Sequence, residues 1–344
     1  MRRAMVAVLM LASVGLGSLG VVRAVPAAEL VIAGWTGGYD KMFEEKVFPE
    51  FIKQHTLKIR WVLGTSVGNI AKVKATKDSP EIDIVLADDI PQRAALNEGL
   101  WEPLDPAIVT NLPKLRPTNR LPGDQGVGLD LNVLGIVYHK EIFKERNLPL
   151  PTSWNDFFRA DLQKRIMVPT ITTGEGLMML IQMARLGGGG ERNIDPGFAK
   201  MKQLAPAVFE FTRAAAIQNS LFQRGEGWMT IQSYSTQSLA KEKGVPTEFV
   251  FPKEGGPARM ATINVVRNAP HKRLAQELVN YVLGERPQEI LSQELKSAPA
   301  NRLSKVPPDI AAMLEKLYPI DIDHINASRA AWTERWNKEI EAGR

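Results

Sequence analysis

Asp83-Ile84-Val85-Leu86-Ala87-Asp88-Asp89-Ile90-Pro91 is the stretch whose reading decides the fold. Four apolar residues in a row are too short for a buried helix, and no polar residue alternates with them. That is the pattern of a strand covered on both faces, as in a sheet packed between helices. The strand stops at two aspartates, and residues 91–97 then carry a helical pattern that ends at Gly99. The same order appears upstream. Residues 29–33 form a short apolar strand, and residues 42–54 read as one helix burying Phe43, Val47 and Phe51. Residues 58–63 alternate Ile59, Trp61 and Leu63 as a strand, and a helix starts over 70–76. Repeated strand-then-helix units predict an α/β architecture of mainly parallel sheets flanked by helices.

Downstream the alternation continues. Residues 165–168 read as a buried strand, and 175–186 as a long helix closed by four glycines at 187–190. Residues 227–231 and 248–251 read as strands around a helix at 236–243, with further helices over 274–283, 287–295, 310–317 and 325–340. Thr152-Ser153-Trp154 caps another helix through Phe158. Residues 103–122 hold five prolines and little periodicity, which predicts a surface loop. Two long extended segments, 128–138 and 259–266, are where the chain would pass from one lobe to a second and back. On that reading one lobe comprises 29–131 with 260–300, the other 132–259 with 301–344, and the two segments are hinges.

The 344 residues contain 44% hydrophobic and 24% charged residues, the balance of a globular protein with ample core material. There is no cysteine, which excludes disulfides, thiolate metal sites and cysteine nucleophiles. Met1-Arg2-Arg3, an uncharged apolar run over 4–22 and small residues at Ala24, Ala27 and Ala28 follow the order of a secretory signal peptide, cleaved after Ala24 or Ala28. Without Arg2, Arg3 and Arg23 the formal balance falls to 40 basic against 38 acidic residues. No basic block with interleaved aromatics remains, so no nucleic-acid partner is expected.

Ligands of open α/β sheets bind beyond the C-terminal ends of strands, where helix N-termini point. Five loops at such places carry hydroxyls, glycines, aromatics or carboxylates. They are Trp35-Thr36-Gly37-Gly38-Tyr39, Gly64-Thr65-Ser66-Val67-Gly68-Asn69, Ala87-Asp88-Asp89-Ile90, Thr170-Ile171-Thr172-Thr173-Gly174-Glu175 and Gln232-Ser233-Tyr234-Ser235. Ser66, Asp89, Thr173 and Ser235 are also ordinary helix N-cap types. Convergence of all five on one cleft is the functional expectation. Chemistry is harder to find. His55, His139, His271 and His324 have no metal-ligand spacing, and there is no Gly-x-x-x-x-Gly-Lys phosphate loop. No metal, cofactor or enzymatic activity is expected; an exported hydrolase using Asp88, Asp89 or Glu175 is the catalytic alternative.

Export, two lobes and two crossovers resemble the periplasmic solute-binding proteins of ABC importers, and most of all the spermidine/putrescine-binding branch. Gly34-Trp35-Thr36, Thr152-Ser153-Trp154-Asn155-Asp156-Phe157 and Phe249-Val250-Phe251-Pro252-Lys253-Glu254-Gly255-Gly256 carry the resemblance. It implies a type II two-lobe fold with the ligand cleft between the lobes, periplasmic location, delivery to ABC permease subunits in the inner membrane, and a monomer. Trp35, Thr36 and Glu175 match the polyamine pattern. Thr172 stands where a second carboxylate is expected, Gln232 where an aromatic is, and Arg259-Met260-Ala261 where Trp-x-Asp is. A buried diammonium needs carboxylates, and an arginine beside it adds repulsion. The expected ligand is therefore a small organic anion or zwitterion, with a polyamine as the alternative. It would be held by Trp35, Thr36, Tyr39, Ser66, Asp88, Asp89, Thr172, Thr173, Glu175, Gln232, Tyr234 and Arg259, with Arg259 neutralising the acid group. A ferric-ion receptor of the same fold needs clustered tyrosines, and none of the five tyrosines is adjacent to another.

Overall fold

A computed structural model describes residues 28–36 and 38–342. The signal-peptide expectation falls almost entirely outside the described residues. Strands β1 (Ala28–Trp35), β2 (Leu57–Gly64), β3 (Ile84–Asp88) and β4 (Val127–Gly128) come first along the chain. They are followed by β5 (Asp130–His139), β6 (Ile166–Pro169), β7 (Val208–Thr212), β8 (Met229–Ser233), β9 (Thr247–Val250) and β10 (Ala258–Arg259). Last are β11 (Ala261–Val265) and β12 (Ala298–Pro299).

Two sheets result, one per lobe. The first has the order β2-β1-β3-β11-β4; the second runs β10-β5-β8-β6-β7, with β9 and β12 also paired to β5. The chain leaves the first sheet at Leu129, re-enters it at Met260, and visits the second again through β12. A third passage was read from the sequence at 300/301; the strand that makes it, β12, was not.

Both sheets are mixed, where mainly parallel ones were expected. β1 runs parallel to β2 and β3, and β6 parallel to β7 and β8. β11 lies antiparallel to β3 and β4, and β5 antiparallel to β8, β9, β10 and β12. β5, β10, β11 and β12 flank the crossings, so they enter each sheet from the opposite end to the strand-helix units. Burial on both faces looks the same for either direction.

Each sheet has its own core. Leu30, Ile32, Ile84, Leu86, Ile263 and Val265 meet Phe43, Phe51, Leu278 and Val282 of the covering helices. In the second lobe Ile136, Ile166, Val168, Met229 and Ile231 meet Leu180, Phe198, Trp332 and Trp336.

Two local expectations are corrected. Residues 42–54 are not one helix: Phe48 N–H bonds Phe43 O (2.7 Å) in a wider turn, and a new helix, Pro49–His55, restarts behind it. Pro49 has no N–H to continue the ladder and suits a first turn instead. Residues 103–122 are not a surface loop either. Leu104, Val109, Leu112, Leu115 and Leu121 are buried, and short turns at Leu112–Lys114, Pro117–Asn119 and Pro122–Asp124 aim them inward. The prolines break the spacing without removing the apolar side chains.

The two stretches most typical of the resemblance touch each other. Ser153 caps its turn in a reciprocal box with Asp156 and donates its hydroxyl to Glu254. Trp154 is fully buried and donates its indole N–H to Gly255 O at 2.8 Å. Gly255 has φ +78°, and a Cβ there would lie 2.1 Å from Lys316 O, so backbone approach requires glycine.

Candidate functional site

The sheets place their loop-bearing ends together. In the first, Trp35 is level with Gly64 and Asp88 faces Ala261. In the second, Pro169 is level with Thr212, Leu134 with Ser233, and Asn132 with Arg259. The facing ends enclose a cleft of about 300 Å³ lined by Trp35, Tyr39, Asp88, Asp130, Asn132 and Arg259, among others.

A chain of hydrogen bonds crosses it. Trp35 Nε1 donates to Ser66 Oγ (3.0 Å), and Ser66 Oγ donates to Asp88 Oδ2 (2.8 Å). Arg259 Nη2 donates to Asp88 Oδ1 (2.8 Å), and its Nη1 to Glu175 Oε1 (2.6 Å). Asp88 ends β3 in one lobe; Glu175 opens the Gly174–Leu186 helix in the other. The guanidinium thus joins carboxylates of both lobes. Glu175 first, and then Asp88 and Asp89, hold its pKa above the ordinary arginine value against the cost of burial. Two further contacts bridge the lobes: Arg93 Nη1 to Asp323 (3.1 Å), and Asn326 Nδ2 to Ile90 O (3.0 Å).

Asp89 and Asp130 are buried behind this chain and brace the return crossing. Asp89 accepts the N–H groups of Ile90 and Met260, and Asp130 that of Ala261. Burial is the first cause that lifts both carboxyls to about 6. Their folded values exceed the unfolded one, so each contributes stability below about pH 4 that is lost as pH rises through about 6. Asp130→Asn is expected to remove part of that loss. In urea melts from pH 4 to 7, wild type should lose of order 1–3 kcal/mol relative to the variant. A pH-independent difference would refute the assignment.

Several expected residues hold different posts. Ser66 is not a cap: Thr65 caps the Ser66–Ala75 helix, and Ser233 caps the Tyr234–Glu242 helix in place of Ser235. Thr173 does cap, accepting Gly176 N–H and donating to Thr170 O (2.8 Å). Thr36 and Thr172 are exposed and line neither this cleft nor the small cavity beside it. Tyr234 faces a separate groove, where it bonds Asp309. Gln232 lines the adjoining small cavity together with Thr173 and Glu175. Tyr39 packs against Trp35 with ring centroids 5.3 Å apart. Burial, then the nearby Asp130 and Asp88, raise its phenol pKa.

Sequence reasoning missed Asp130 and Arg213. The signal for Asp130 was a lone acid in the apolar run Gly128-Leu129-Asp130-Leu131; that for Arg213 was a helix start, Arg213-Ala214-Ala215, with no capping residue. It also missed Gly64-Thr65-Ser66-Val67-Gly68, which has the spacing of a hydrolase nucleophile elbow on a strand-to-helix turn. Ser66 Oγ is engaged by Trp35 and Asp88, and no histidine is among its hydrogen-bond partners.

A family model described as bacterial extracellular solute-binding protein matches residues 79–322. The chain belongs to that family. This solute-binding protein is 24% identical over 253 residues to the spermidine/putrescine-binding periplasmic protein of Salmonella typhimurium, covering 70% of each chain. It is 24% identical over 291 residues to the gamma-aminobutyric acid-binding protein of Pseudomonas aeruginosa, covering 80% of this chain and 78% of that one. Its fold matches the crystal structure of an ABC transporter from Clostridium perfringens with TM-score 0.78 and 23% identity, over 90% of this chain and 99% of the other. Solute-binding proteins of this family serve ABC transporters outside the cytoplasm, taking a small molecule and passing it to the permease. No helix among the described residues is long and apolar enough to cross a membrane.

Proposed function

We propose that this solute-binding protein captures a small zwitterion, with an ammonium group and an acid group, in the cleft between its lobes. The observation that carries this reading is the state of Arg259: both its Nη groups are bonded to carboxylates. It therefore acts as a resident counter-ion of Asp88 and Glu175 and not as the anchor for a ligand acid. Around it stand four carboxylates, Asp88, Asp89, Asp130 and Glu175, and the aromatic surface of Trp35 and Tyr39. Excess carboxylate beside aromatic faces suits an ammonium.

A ligand touching both lobes favours the closed form by its differential affinity for that form. The lobes are taken as 29–131 with 260–300 and 132–259 with 301–344, hinged near 128–138 and 259–266. The chain would act as a monomer in the periplasm, without catalysis and without nucleic acid.

Polyamine binding is the second reading, favoured by the same carboxylate excess and by the similarity to spermidine/putrescine binders. A thermal-shift series of equal length separates them: 4-aminobutanoate, 1,4-diaminobutane and butanedioate. A ligand at about 100 times its Kd adds roughly 2.7 kcal/mol. The zwitterion should give the largest shift and be recovered unaltered. Stabilisation by the diamine alone would favour the second reading, and consumption of the ligand would refute both.

A further inference from the structure

Beside the main cleft lies a smaller cavity of about 120 Å³, lined by Thr173, Glu175, Thr212, Arg213, Ala214, Ala215, Gln218 and Gln232. It is open at the start of the Ala215–Gln223 helix, whose N-cap is Ala214 and which has no side-chain cap. The N–H groups of Ala215 and Ala216 accordingly have no hydrogen-bond partner among the described residues. Arg213 is exposed at its rim and makes no ion pair among the described residues.

An independent feature points the same way. Gln232 is 1% exposed and lines this cavity, yet its Oε1 has no partner among the described residues. Its other amide atom, Nε2, donates to Gln218 Oε1 (2.7 Å) and Asn219 Oδ1 (3.2 Å). Gln218 Nε2 in turn donates to the hydroxyls of Thr212 (2.9 Å) and Thr230 (3.0 Å). Hydroxyls donate as readily as they accept, so this amide chain can reverse as a unit. Thr212 and Thr230 then donate to Gln218, Gln218 and Asn219 donate to Gln232, and Gln232 turns an N–H into the cavity. The one acidic side chain on the wall, Glu175, is covered by Arg259 at 2.6 Å.

We propose that this cavity is the subsite for the ligand's acid group. A carboxylate or phosphonate there is held by the N–H groups of Ala215 and Ala216, the Arg213 guanidinium and the reversed Gln232 amide. The assignment rests on the zwitterion reading for its biological ligand. A helix end that lacks its own cap supplies both donors and a favourable dipole for an oxyanion.

The test uses the chain from residue 29 to 344, with 4-aminobutanoate and 3-aminopropylphosphonate as organic probes and inorganic phosphate as a third. Amide resonances of Ala215 and Ala216 should shift saturably with phosphate and with whichever organic probe binds, which also tells carboxylate from phosphonate. Arg213→Gln should weaken that binding about tenfold or more, since a charge-assisted contact is lost. Gln232→Glu, which fixes acceptors at the free end and adds a negative charge, should weaken it further without weakening 1,4-diaminobutane. Organic-probe binding at equal affinity in wild type and both variants, with those two amides unmoved, overturns the subsite. Amides that move with phosphate while neither organic probe binds keep the subsite and sink the zwitterion reading instead. Amides unmoved by all three probes overturn the subsite whatever the ligand is.

Discussion

Arg259→Ala is expected to turn the cleft from zwitterion selectivity toward dication selectivity. The ratio of 1,4-diaminobutane to 4-aminobutanoate affinity should rise about 100-fold or more in calorimetric titrations. The guanidinium satisfies Asp88 at 2.8 Å and Glu175 at 2.6 Å, one carboxylate from each lobe. Removing it leaves a gap between two carboxylates that only a second ammonium can fill with charge-assisted bonds. Two such bonds at about 1.5–3 kcal/mol each carry a ratio change of that size. Glu175 would also then face the small cavity unshielded and repel an acid group. If the ratio stays as in wild type, the arginine is not what tunes ligand charge.

Trp154→Ala should produce the largest stability loss, about 3–5 kcal/mol. The indole is completely buried, lies nearly parallel to Phe157 at 6.2 Å, and bonds Gly255 O. Truncation leaves a large cavity and an unbonded carbonyl at the junction of two loop segments. A fall in Tm of roughly 10 °C is expected, from about 2–4 °C per kcal/mol for chains of this size. Trp154→Phe, which keeps most of the ring and loses the N–H bond, should cost about 1–2 kcal/mol. Equal losses in the two variants would mean the hydrogen bond, and not packing, holds the joint.

That joint explains what was legible in the sequence. Ser153, Trp154, Glu254 and Gly255 form a structural seam and none of them lines the cleft, so two of the three stretches that carry the resemblance say little about the ligand, while the third, Gly34-Trp35-Thr36, brings Trp35 to the cleft. The strand-then-helix order and the convergence of loops were readable because periodicity and loop chemistry are local. Strand direction was not, because β5 is as apolar as a parallel strand while pairing antiparallel with four others. β7, the Asp195–Leu204 helix and the Ala215–Gln223 helix were not read at all. The last is rich in uncharged residues and has no side-chain cap, and its uncapped start borders the small cavity.

Arg259 shows the limit most clearly. Its identity was visible, and so was the conflict between an arginine and a polyamine. Its partners lie 84 and 171 residues away in the chain, so whether it met a ligand or its own carboxylates depended on the fold. The acid-binding role passes in this account from Arg259 to Arg213 and the helix start beside it. Arg259 remains the charge balance that lets an ammonium and an acid share one cleft.

The most direct measurement is a crystal structure of the chain from residue 29 to 344 grown with 4-aminobutanoate. The ammonium is expected against Trp35, Tyr39 and Asp130, and the carboxylate on the Ala215 and Ala216 N–H groups and Arg213, with Arg259 still bonded to Asp88 and Glu175. A carboxylate seated on Arg259, with Asp88 or Glu175 displaced from it, would contradict the account.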